Sequence, residues 1–168
     1  MSLKETIRDD PIVSKYIKKI KSIKSKDEVW LQELESLHAR RGIRALNSNQ
    51  LLHSAAKISI DSNIDNQAVR SRCVEIKIAA LKQLLVLNET IDYLKKYISS
   101  KYSKKLQAQG NMTERKNYIE FIISPLIKQE ERIKVVTKIA DEIIGDADAA
   151  GFALMRINES LNMKSKDR

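Results

Sequence analysis

The chain has 168 residues and carries 31 lysines and arginines against 22 aspartates and glutamates, a formal net charge of +9. Four glycines, two prolines and one cysteine exclude most β-sandwiches and doubly wound α/β folds, which need many turn residues, and exclude a disulfide scaffold. No apolar run is long enough to cross a bilayer and no signal-peptide core opens the chain, so we expect a soluble protein of the reducing cytoplasm.

The first ten residues read as a polar leader. Asp10 before Pro11 is a helix start: a carboxylate cap, then the imino acid tolerated in the first turn. Ile12, Val13, Tyr16, Ile17, Ile20 and Ile23 then recur at helical spacing. The opposite face carries Lys15, Lys18, Lys19, Lys21 and Lys24. Ser25, Lys26 and Asp27 read as a break, with Asp27 capping a second helix that holds Trp30, Leu31, Leu34 and Leu37. That helix is acidic early and basic late, at Arg40, Arg41 and Arg44, which suits the helix dipole. Ser48 is the expected cap of a short helix through Ile58, and residues 61–66 read as a loop or a helix irregularity.

From Asp65 to Leu106 the chain has neither glycine nor proline. Cys73, Ile76, Ala80, Leu84, Leu87, Ile91, Leu94 and Ile98 alternate mostly by three and four, a coiled-coil-like seam. Gly110 is the natural residue just past this helix. Asn111 or Thr113 then opens the next one, and Asn111 with Glu114 has capping-box spacing. A second seam runs through Ile119, Ile122, Leu126, Gln129, Ile133, Val136, Ala140, Ile143, Ala147, Ala150, Leu154, Ile157 and Leu161, and only Gln129 in it is polar. Pro125 should bend this helix locally, because it removes a backbone donor.

Two long seams joined by a short loop must run antiparallel. The expected fold is therefore all-α: a long antiparallel, coiled-coil-like hairpin over 63–168, and a basic region over 1–62 with two or three shorter helices. Those shorter helices should pack at the end away from the hairpin turn.

The charge is uneven. Residues 1–50 hold 11 basic and 7 acidic side chains, 51–110 hold 10 and 5, and 111–168 hold 10 and 10. The turn is basic, at Lys95, Lys96, Lys101, Lys104, Lys105, Arg115 and Lys116, while Asp141, Glu142, Asp146 and Asp148 make the last helix locally acidic. Solvated helix faces explain such clusters; so does a phosphate-binding surface with salt-dependent affinity. The residues assigned to nucleic acid are Lys15, Lys18, Lys19, Lys21, Lys24, Arg40, Arg41, Arg44, Lys101, Lys104, Lys105, Arg115 and Lys116. Tyr97 and Tyr102 lie among the turn lysines, where they could stack on unpaired bases, yet they also lie near the seam, where they would pack in the core.

Site chemistry is sparse. His38, His53 and Cys73 cannot close a zinc site without carboxylates, and no phosphate-cradling glycine loop is present. We expect no catalytic residues, metal or cofactor. Apolar residues off the seam in the last helix, at Ile139, Ile144, Ala149, Phe152 and Ala153, exceed what one partner helix needs and point to a buried subunit interface, assigned to Ile139, Ile143, Ala147, Ala150, Phe152, Leu154 and Ile157. The competing reading covers that surface with the N-terminal helices of the same chain. Membrane binding by the basic first helix is set aside, because its isoleucine face can bury against the hairpin.

The helical hairpin with a basic, glycine-containing turn, followed by a long helix carrying Ala-Gly-Phe-Ala-Leu-Met-Arg-Ile at 150–157, resembles the phage recombination mediators of the UvsY type. Gly151, Phe152, Ala153, Leu154 and Ile157 match that family's Arg-Gly-Phe-Ala-Ile run, and Thr113 to Lys116 fall where its second hairpin helix begins. The resemblance covers about 66–162; the additional N-terminal helical region departs from it. It implies a homo-oligomer, a ring, that binds single-stranded DNA and loads a recombinase, assembled through the C-terminal helix. Ser54-Ala55-Ala56-Lys57-Ile58, Arg70 to Glu75 and Asn88 to Lys95 resemble instead the central hairpin of tailed-phage small terminase subunits, which implies a DNA-binding ring serving a packaging motor. A coiled-coil scaffold without nucleic acid is the third reading.

Overall fold

The computed structural model describes residues 2–40 and 55–166. Among the described residues the structure is helical throughout, with no strand. In chain order the helices are α1 (Leu3–Arg8), α2 (Pro11–Ala39), α3 (Ala55–Lys101), α4 (Ser103–Gln107), α5 (Met112–Ile122) and α6 (Ser124–Lys166). The chain forms two compact units, one of residues 1–29 with 79–136, the other of residues 30–78 with 137–168. Each combines segments from both sides of the 62/63 division expected from sequence.

The first unit contains α1, the start of α2, the end of α3, the hairpin turn and the start of α6. Its core is Ile7 and Val13 against Leu87, Ile91, Leu94 and Ile98 of α3, Ile119 and Ile122 of α5, and Leu126, Ile133 and Val136 of α6. The seam positions of α3 and α6 are thus the buried ones, and Gln129 is buried among them. Each such side chain contributes about 1.5–3 kcal/mol by leaving water. Tyr16 of α2 meets Tyr93 of α3 at 5.9 Å between ring centroids. Lys95 of α3 meets Glu120 of α5 at 2.7 Å.

The second unit pairs the start of α3 with the later part of α6. Arg70 bonds Asp148 at 2.6 Å and Lys77 bonds Asp141 at 2.6 Å. Moving seven residues up one helix moves seven back along the other, which is the antiparallel register the two seams demand. Val69, Cys73 and Ile76 bury with Ala140, Ile143 and Ala147, and Leu34 and Leu37 of α2 are buried in this unit too. Arg72 holds Glu33 of α2 at 2.6 Å.

Several local expectations are corrected. Helix α2 runs unbroken from Pro11 to Ala39, and Asp27 lies inside it rather than capping a second helix. Ser25, Lys26 and Asp27 contain no glycine or proline, so continuing the helix costs only tenths of a kcal/mol per residue. Residues 61–66 are likewise helical, inside α3. Helix α2 does not pack away from the hairpin turn: its first residues meet the last residues of α3, where Lys101 bonds Asp10 at 2.7 Å. Pro125 does not bend a continuous helix. The helix ends at Ile122, and α6 restarts at Ser124 with Pro125 in its first turn, where a missing N–H leaves no bond unmade. The expected cap Ser48, the start of the short helix, Arg41, Arg44 and His53 lie outside the described residues.

Cys73 is wholly buried. Burial, then the nearby Glu33 carboxylate, push its thiol above the ordinary range. A thiol reagent at neutral pH should therefore leave Cys73 unmodified in the native protein and label it stoichiometrically in denaturant, since only the thiolate reacts. Rapid native labelling would contradict this burial.

Candidate nucleic-acid interface

The hairpin turn is built from local signals that the sequence carries openly. Gly110 adopts φ +110°, a conformation that side chains rarely take. A Cβ there would collide with the Glu114 carboxylate. That carboxylate is committed: it accepts from the Asn111 N–H at 2.6 Å. The Asn111 side chain in turn accepts from the N–H groups of Thr113 and Glu114, both at 3.0 Å, completing the capping box of α5. Arg115 Nε donates to the Gly110 carbonyl at 2.8 Å and ties the loop down.

At the other side of the turn lies a buried carboxylate. Asp10 is 4% exposed. Its Oδ1 caps α2 by accepting from the Ile12 N–H at 2.9 Å. Tyr102 donates to Oδ2 at 2.8 Å, and Tyr97 donates to the same carboxylate at 3.2 Å. Lys101 donates to Oδ2 at 2.7 Å and to the Tyr97 hydroxyl at 2.7 Å. Burial alone would push the Asp10 carboxyl up; the bonds from Lys101, Tyr102, the Ile12 N–H and Tyr97 outweigh it and hold it well below the usual carboxylate range. The same contacts, Asp10 first, hold the Lys101 ammonium above its ordinary range. Tyr102 is pushed up by its burial and then by Asp10. Both tyrosines are half-buried and spend their hydroxyls on this cluster, between the two roles considered from sequence.

The predicted cations therefore divide. Lys101 and Arg115 build the turn. Lys104, Lys105 and Lys116 are exposed and make no ion pair among the described residues, and Lys96, which the sequence reading left off its binding set, joins them. The signal for Lys96 was its place in the turn's charge run. Three adjoining clefts lie around these residues. The largest, about 700 Å3, runs between α3 and α5 and is lined by Lys95, Lys96, Ser99, Ser100, Lys116, Ile119 and Glu120. A second, about 210 Å3, shares Ser99, Lys116 and Ile119 with it and adds Ser103 and Arg115. A third, about 380 Å3, shares Ser103 and adds Lys104 and Lys105.

The other predicted cations are more dispersed. Lys15, Lys18 and Lys19 are exposed along α2 in the same unit; the side chains of Lys21 and Lys24 lie outside what the structure describes. Arg40 belongs to the second unit, where it lines a cleft with Glu33, Asp65 and Arg72. In that unit two acids of the α6 stretch, Asp141 and Asp148, are paired within the chain, with Lys77 and Arg70. Of the expected subunit-interface residues, Ile143 and Ala147 are buried against the same unit, because the seam they continue faces α3. Ile139, Ala150, Leu154 and Ile157 are half-buried. Phe152 is 67% exposed, with Met155 close by at 59%.

Among the described residues no group of three histidine, cysteine or acidic side chains is arranged to hold a metal ion, and no helix is long and apolar enough to cross a membrane. No protein-family model, curated protein or solved structure matches the chain.

Replacing Asp10 with alanine removes a helix cap and strands two half-buried phenols. It should destabilise the protein by about 2 kcal/mol or more, read as a lower urea midpoint. The pH dependence has a definite sign. The folded carboxyl titrates below its unfolded value, so its contribution is complete above the unfolded value, about pH 4, and is lost as pH falls through the folded one. Acid unfolding should accordingly be less steep in Asp10→Asn than in the parent.

Proposed function

We propose that the chain is a non-catalytic nucleic-acid-binding protein whose hairpin turn holds the phosphates. The observation that carries this reading is the uneven use of cations. In the second unit Arg70, Arg72 and Lys77 each face an acid. At the turn Lys96, Lys104, Lys105 and Lys116 face none, beside clefts lined with serine hydroxyls that can donate to phosphate oxygens. A polyanion gains by releasing its condensed counterions to such a cluster.

The resemblance supports the more specific form: a single-strand-binding recombination mediator, oligomeric and ring-like, that hands DNA to a recombinase in the cytoplasm. A DNA-packaging ring is the alternative, and relative affinity for single and double strands separates the two. The exposed Phe152 and Met155 favour assembly through α6, and on their own would also suit a scaffold that binds only proteins.

Changing Lys96, Lys104, Lys105 and Lys116 to glutamine should flatten the plot of log affinity for poly(dT) against log salt by about 3 units, at about 0.7 per phosphate contact. Lys77→Gln should leave it unchanged. Equal binding by the fourfold variant and the parent would refute the assignment; no binding by the parent at about 50 mM salt would favour the protein scaffold. Phe152→Ser should lower the mass measured by light scattering at micromolar protein, and a parent that is already monomeric removes the ring readings.

A further inference from the structure

The largest cleft at the turn has a chemistry different from that of a phosphate track, and resting on the nucleic-acid reading above, the geometry points to its being a pocket for an unpaired base. Lys95 and Glu120 both line it and neutralise one another at 2.7 Å. That leaves Lys96 and Lys116 as its two uncompensated charges, with Ser99 and Ser100 as neutral donors. Its apolar surface comes mainly from the methylene stems of Lys95, Lys96 and Lys116, with the buried Ile119 at its floor. A cavity of about 700 Å3 lies in the range that takes small organic ligands.

A ligand made only of phosphate gains nothing from this apolar surface. A nucleotide unit fits both parts: an apolar, planar base inside, and phosphates reaching Lys96 and Lys116. A base paired within a duplex is turned inward and cannot enter without unstacking, which costs a few kcal/mol. The neighbouring cleft shares Ser99, Lys116 and Ile119, and the next shares Ser103. These shared residues set out a path for the strand from the pocket past Ser103 to Lys104 and Lys105. Selection for unpaired nucleic acid follows from shape at Ser99 and Ser100, separately from the charge of the turn.

The test compares a fluorescein-labelled dT oligonucleotide with an abasic strand of equal length and charge, binding the full-length protein across a salt series. The parent should bind dT about tenfold more tightly than the abasic strand. Ser99→Leu, which narrows the pocket without altering any charge or adding a ring on which a base could stack, should abolish that difference and leave the salt slope for the abasic strand unchanged. Ser100→Leu should behave the same way, and circular dichroism identifies a variant that has lost its helices. Equal binding of the two strands by the parent, or an undiminished preference in a folded leucine variant, overturns the base pocket while the phosphate-binding reading stands on its salt slope. Failure of the parent to bind either strand at about 50 mM salt overturns both.

Discussion

The first unit depends on one buried carboxylate. Taking Asp10 out of water costs several kcal/mol unless the charge is met by donors. The donors come from three places: the first turn of α2, the last turns of α3 at Tyr97 and Lys101, and the link at Tyr102. The carboxylate is satisfied only where the start of α2 meets the end of α3. The turn that follows therefore begins from a fixed position. Lys104 and Lys105 lie two and three residues past Tyr102, so the same contact that stabilises the helices also aims the cations.

This gives a physical division of labour within a lysine-rich surface. Exposed ion pairs such as Arg70–Asp148 and Lys77–Asp141, with side chains a third to a half exposed, each contribute little to stability. Their effect is to cancel charge, so that Asp141 and Asp148 of α6 and Lys77 and Arg70 of α3 are neutral together. Lys101 is neutralised by Asp10, while Arg115 is held by the neutral Gly110 carbonyl and keeps its charge. Unpaired cations remain along the first unit, at Lys15, Lys18, Lys82 and Lys128 as well as at the turn, and the turn sets several of them beside clefts. Net charge alone describes the chain poorly; what matters is which charges remain after the fold has used the others.

The seams were legible because periodicity is a property of each helix alone. Cys73, Ile76, Ala80, Leu87, Ile91, Leu94 and Ile98, and the second series from Ile119 to Ala147, were expected in the core and are buried there; Leu84 and the end of the second series, at Ala150, Leu154 and Ile157, are only half-buried. The capping box at Asn111 was legible for the same reason. Asp10 was read only in part: its role as a cap is local, but its other donors stand 87 to 92 residues further along the chain. Asp27 was misread for the converse reason. A short polar run resembles a boundary, and its true partner, Arg132, is supplied by a helix far away in sequence. The division of the turn lysines into bound and unbound was equally invisible, since it depends on where Asp10 and Glu120 arrive.

Asp27 also shows why helix α2 takes one register in the first unit. It is wholly buried, no hydrogen bond reaches either of its oxygens, and its counter-charge is Arg132 at 3.7 Å. The same guanidinium stands 3.6 Å from Glu28. A buried carboxylate with a single cation tolerates no displacement that removes the cation. Sliding α2 by two turns would put Ile20 or Leu34 opposite Arg132 and leave both Asp27 and Asp10 buried without their charges. An apolar seam by itself permits such a slip, because one isoleucine packs much like another at heptad spacing. Two acidic residues seventeen positions apart, each with its cation on a different helix, remove that freedom. The apolar residues hold α2 against the hairpin, and the carboxylates decide where along it α2 sits.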